Sequence, residues 1–182
     1  MTTTQSPNGI ERKRAQSMAQ SALINGLLLG WKKNHEYGCK LIDDLDEQQM
    51  VTQPSNDAVN HPAWVLAHLN VYHPVISSLV QGRQFTDPKG HEFGMQSKPL
   101  ADRAIYPSKQ QLTDQWVSGH EQVAELLESA SSEAMEQPMP LERWKEPMPT
   151  VGQALPYLML VHENIHLGQL SAWRRVQSLP SV

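Results

Sequence analysis

Leu155, Met159, His162, His166, Gln169 and Trp173 follow one another at steps of four, three, four, three and four. That rhythm is one face of an α-helix, and a face carrying Leu, Met and Trp turns inward. The chain is therefore committed to burying two imidazoles in a helical seam. Three other segments keep the same rhythm. Leu27, Trp31, His35, Gly38, Ile42 and Leu45 mark a first helix from about Arg14 to Leu45. His61, Trp64, His68, Val71 and Val75 mark a second from about residue 61 to 81, opened by Asn60 and Pro62 and bent at Pro74. Leu112, Trp116, Gly119, Val123 and Leu126 mark a third from Ser108 to near Ala130. The last is expected from about Val151 to Gln177, with Thr150 as its cap.

Two breaker-rich stretches separate these helices, residues 83–107 and 131–150. A long connection in a compact domain often covers or shapes a site. Four amphipathic helices and no convincing strand predict an all-α fold, a four-helix bundle formed by residues 14–182. The polar, turn-rich residues 1–13 read as a flexible N-terminal arm.

Composition narrows the function. Hydrophobic residues make up 39% of the chain and charged residues 19%, the mix of a globular protein. A net charge of -4 offers no footprint for a phosphate backbone, so no nucleic-acid partner is expected. The short basic runs at 11–14 and 173–175 read as solvated helix ends. The apolar run at 21–31 is too short to span a bilayer, so no membrane partner is expected, and it lacks the cleavage pattern of a secretory signal. The single cysteine, Cys39, has no disulfide partner and reads as structural; a cytoplasmic location is the expectation.

His162 and His166 belong to H-E-x-x-H, the spacing with which many peptidases hold zinc. Such an enzyme takes its third ligand from downstream. After His166 the chain holds no His, Asp, Glu or Cys, which excludes that reading. A third ligand must come from upstream, and His68, in the middle of the second helix's stripe, is the best candidate. Three histidines would leave an ion with an open position, as catalytic metal sites do. Glu163 is a candidate base by analogy with peptidases, but about a hundred degrees round from His162 it equally suits a flank or subunit contact. Gln169, one turn after His166, suits orienting a ligand, touching substrate or packing. His35 and His120 are further seam candidates. His61 suits a capping or surface role, and His73 and His91 read as exposed or loop histidines.

These residues are similar to those of a known family. "LIDDLDEQQM" at the end of the first helix, "NHPAWVLAHL" opening the second and "HENIHLGQLSAWRR" in the last resemble the DinB-like, or YfiT-like, metal-binding four-helix bundles. The resemblance runs roughly from residue 17 to 178. It implies an up-down-down-up bundle with a long crossover between the second and third helices. It also implies a histidine triad, matching His68, His162 and His166, for a divalent ion such as zinc, nickel or iron. Homodimers are common in the family, and its characterised enzymes include transferases and isomerases that use low-molecular-weight thiols.

Three functions follow. The first is a metal-dependent hydrolase or transferase in which a metal-activated thiol or water attacks a small-molecule substrate. The second is a non-catalytic, stress-related bundle that holds a metal or small ligand. The third is a structural dimer whose core histidines are hydrogen-bonded.

Overall fold

The computed structural model describes residues 7–54 and 59–182, and among them the fold is all-α. Three long helices, α1 (Pro7–Ile42), α2 (Pro62–Gln81) and α3 (Lys109–Glu128), are followed by short α4 (Ser132–Glu136) and α5 (Glu142–Lys145). The last helical run consists of α6 (Val151–Pro156), a π-helical segment (Tyr157–His162) and α7 (Glu163–Val176). Backbone angles stay right-handed helical at both joins, so the three pieces form one rod.

The helix boundaries have local causes. α1 begins at Pro7, seven residues before the expected start, because proline suits a first turn where no backbone donor is needed. The helix therefore takes residues 7–13 of the expected arm; residues 1–6 lie outside the described residues. α2 is capped by His61 rather than Asn60: the His61 ring accepts a hydrogen bond from the Trp64 N–H. α3 starts with a reciprocal box in which Ser108 and Gln111 each accept from the other's backbone N–H. At the start of α6 the Gln153 side chain accepts from the Thr150 N–H.

α1 and α2 each pack against both α3 and the final rod. The apolar core falls into two clusters. One collects Leu27 and Trp31, Val75 to Val80, Val123, Leu127 and Val151 to Met159. The other collects Leu41 to Leu45, Ala63 to Leu69, Leu112, Trp116, Leu167, Leu170 and Trp173. All five tryptophans are buried, as are Met148 and Met159. Each large apolar side chain so buried contributes about 1.5 to 3 kcal/mol. Where one cluster gives way to the other along each long helix lie Asn34, His35, His68, His73, His120, His162, Glu163 and His166.

Arg174 corrects the reading of 173–175 as solvated. Its guanidinium is 2% exposed, pairs with Asp44 and donates to the carbonyls of Leu41 and Pro180, tying α7 to the end of α1. Cys39 is half-buried and free, and burial pushes its thiol up, which agrees with a structural role.

α2 and α3 approach so closely at Gly119 that a Cβ there would stand 2.1 Å from Nδ1 of His73. Replacing Gly119 by Ala is expected to destabilise the fold by about 1 to 3 kcal/mol through overpacking, although alanine favours helices. Urea unfolding of the variant measures this; an unchanged or raised midpoint would show that the contact is slack.

Candidate metal centre

His68 comes from α2, His162 from the last turn of the π-helical segment and His166 from α7. One ligand nitrogen from each lies within 4.8 Å of the others, so the group could hold a metal ion. Nε2 of His68 stands 3.1 Å from Nε2 of His162. His68 is 3% exposed and His166 8%.

The far side of each ring decides which nitrogen is free. Nδ1 of His68 lies 2.6 Å from the carbonyl oxygen of Phe93, an acceptor only, so Nδ1 carries the proton and donates it. Its Nε2 is left as a lone pair aimed at the cluster. In the same way Nδ1 of His166 donates to Oε1 of Gln169 at 3.0 Å. Asn60 donates to that same oxygen at 2.9 Å, which holds the Gln169 amide in place. Metal-binding histidines characteristically donate their remote N–H in this way. The third ring, His162, has a buried Nδ1 without a partner among the described residues.

Burial holds the rings neutral, the state a ligand needs. Desolvation, with His166 adding to it, lowers His68 to about 4, and desolvation with His166 and His68 lowers His162 to about 3. His166 is lowered by desolvation, with Gln169 pulling the other way. Trp64 stacks on His68 with ring centroids 4.7 Å apart, and Tyr72 leans on His162 at 4.5 Å.

The 83–107 segment shapes this centre. Besides the Phe93 carbonyl it supplies Ser97, which accepts from the Trp64 indole, and the Leu100 carbonyl, which accepts from His61 Nε2. Gly94 makes the Phe93 turn possible, since a Cβ there would meet the Pro88 carbonyl at 1.9 Å. With both nitrogens engaged, His61 is a cap, but a buried one rather than a surface residue.

One other histidine and the glutamate depart from expectation. His73, expected to be exposed, is 3% exposed, because α2 is buried on more than one face: Leu66, Leu69, Ile76 and Val80 line a second stripe through it. Glu163 is 2% exposed rather than on a flank. It belongs to a second seam of the last helix with Leu167, Leu170 and Arg174, at steps of four, three and four. Its Oε2 lies 3.2 Å from Nε2 of His120, and desolvation raises its carboxyl well above the usual range. His120 is buried, His35 stacks on it at 4.9 Å, and His91 is exposed as expected. The second seam was visible in the sequence; what the spacing of His162 and His166 could not show was that both seams are buried.

The geometry agrees with a comparison of the whole chain. The model of the DinB superfamily matches residues 37–170. The chain belongs to the DinB superfamily. The matched span opens within α1, closes within α7 and contains all three triad histidines, so the DinB match covers the group together with the 83–107 segment that contacts it. No curated protein matches the chain. No helix among the described residues is long and apolar enough to cross a membrane.

The neutral histidines give the metal-free protein a definite pH response. His68, His162 and His73, the last lowered by desolvation to about 3, refuse protons in the fold that the unfolded chain accepts below 6.5. Stability should therefore fall as the pH drops below 6.5, by up to about 1.4 kcal/mol per pH unit for each such ring. Glu163 works oppositely, because a raised carboxyl gives stability that is lost as pH rises. Histidines outnumber it, so the urea midpoint in chelator should be lower at about pH 5 than at about pH 7. An equal or higher midpoint at pH 5 would contradict the neutral assignment.

Proposed function

We propose that His68, His162 and His166 hold one divalent ion, zinc, nickel or iron, and that the protein is a metal-dependent transferase or hydrolase for a small-molecule substrate. The observation that carries this reading is the pair of fixed tautomers. The Phe93 carbonyl and Gln169 each take an N–H from the far side of a ring, leaving lone pairs that converge from two helices. Imidazole ligands suit zinc, nickel and iron better than calcium or magnesium.

When bound, the ion lowers the pKa of a coordinated thiol or water and so supplies a nucleophile near neutral pH. The chain's own residues do the rest. His68 and His166 are pre-oriented, Trp64 fixes the plane of the His68 ring, and Tyr72 forms an apolar wall beside His162. The same reading takes the four long helical runs as an up-down-down-up bundle with residues 83–107 as the crossover. Its support is that α1 and α2 each contact both α3 and the final rod. A homodimer fits the exposed row Tyr157, Val161 and Ile165, spaced by four along that rod.

A second reading, a bundle that holds a metal or small ligand without turnover, is favoured by the burial of His68 and His166. A cleft of about 1240 Å³ between α2, α3 and the crossover is lined by Phe93 and His73 but by none of the triad.

Protein purified without a histidine tag should carry the ion, and His68→Ala and His162→Ala should each lose one equivalent per chain. Less than about a tenth of an ion per chain, unchanged by reconstitution, would overturn both metal readings. Turnover of electrophilic acceptors with small thiols, lost in the same variants, separates the enzyme from the holding protein. Gln169→Leu removes the acceptor of the His166 N–H and is expected to weaken the ion's binding by about 10- to 100-fold. Competition with a chromogenic chelator reads this directly, and wild-type affinity in the variant would remove Gln169 from the centre.

A further inference from the structure

A second group of ligand atoms lies in the same polar layer. His73 of α2, His120 of α3 and Glu163 of α7 each bring one ligand atom within 4.8 Å of the others, and all three side chains are buried. We propose that His73, His120 and Glu163 form a second, interior metal site, separate from the triad, that takes a zinc-like transition-metal ion and clamps three helices together.

The polar atoms of this group outnumber their partners. Nδ1 and Nε2 of His73, Nδ1 and Nε2 of His120, and Oε1 of Glu163 have no hydrogen-bond partner among the described residues. Each such orphan costs about 1 to 3 kcal/mol. Nε2 of His120 approaches Oε2 of Glu163 to 3.2 Å but without the alignment of a hydrogen bond. Two lone-pair bearers that meet without sharing a proton along a line suit a common cation. The spacing must contract to about 3.4 Å for a tetrahedral ion with metal–nitrogen bonds of 2.0–2.1 Å, a modest closure for side chains.

The surroundings are built for rings in fixed positions. Trp31 stacks on His120 with centroids 3.8 Å apart and planes 15° apart, and its indole N–H donates to the His120 carbonyl. Trp116 leans on both histidines, at 4.3 Å from His120 and 5.5 Å from His73. Gly119, next to His120, leaves the space that the His73 ring fills. His35 of α1 stacks on His120 and has its own buried, unpartnered Nε2.

The donor set also selects the ion. Two imidazoles and one carboxylate are borderline ligands, which favour zinc, iron(II), cobalt(II) or nickel over magnesium and calcium. Entry is possible from one side, because His73 and Gly119 line the cleft between α2 and α3. The tryptophan walls otherwise make the site dry, as suits a structural ion more than a catalytic one.

The test uses the full-length untagged protein and zinc alone as the probe. Wild type is expected to bind two zinc ions per chain. A variant with His68→Gln and His166→Gln, which disables the triad, should keep one, and adding Glu163→Gln to it should abolish that one. Cobalt(II) loaded into the triad-disabled variant should show visible ligand-field bands, a readout that needs no change in the second group. Fewer than about a tenth of an ion in the triad-disabled variant, with native helical circular dichroism and no cobalt bands, overturns the proposal while leaving the triad intact. One zinc in wild type, kept in the triad-disabled variant and lost with Glu163→Gln, would instead support this site and sink the triad. Full retention of that zinc after Glu163→Gln would overturn the proposal.

Discussion

The fold turns on how it accommodates a layer of imidazoles between two apolar clusters. Six histidines, one glutamate and one asparagine sit at mid-height, with contributions from every long helix. Apolar packing above and below closes the helices around this layer, and closure removes the water that would otherwise satisfy it. A neutral imidazole brings one donor and one acceptor, so each buried ring must find two partners or carry a cost. Some rings find them. His61 is satisfied at both nitrogens, and His68 and His166 are satisfied on one side by the Phe93 carbonyl and Gln169. The remaining lone pairs collect in two places, and those two places are the groups with metal-ligand spacing.

The triad and the second group are positioned by the same elements. His162 and Glu163 are consecutive, and consecutive residues of a helix point about 100° apart. One therefore faces α2 and His68, the other α3 and His120. On α2, His68 and His73 divide in the same manner, each on its own buried stripe. The π-helical segment ends at His162, so the change of helical winding falls where the two groups diverge. Single π turns within α-helices are frequent at functional sites, where they re-aim the side chains that follow.

Much of this is legible in the sequence. Four stripes at three-and-four spacing predict the four long helical runs, and the absence of a downstream ligand after His166 points to His68, whose Nε2 stands 3.1 Å from that of His162. The segment 83–107, devoid of period, proved to shape the centre as its length suggested. Three misreadings, those of His73, Glu163 and Arg174, share one cause: a stripe at three-and-four spacing implies one inward face per helix. That holds for α3, but α2 and the final rod are buried on two faces, which carried His73, Glu163 and Arg174 inside. The Phe93 carbonyl was beyond sequence reasoning for a different reason, since a backbone acceptor leaves no mark on residue identity. Gly94, which permits that turn, is the nearest trace of it.

H-E-x-x-H thus means something different here from what it means in a zinc peptidase. In the peptidase the glutamate between the histidines serves the water on the same ion. Here Glu163 turns to His120, on the far side from His68, and its desolvated carboxyl lies beside imidazoles of a different group. A nucleophile held at the triad would consequently have no carboxylate from this motif as its base. Any proton it gives up must pass to solvent, to substrate or to a neutral imidazole, and that condition favours a thiol, which ionises readily near an ion, over water, which relies on a base for its transfer steps.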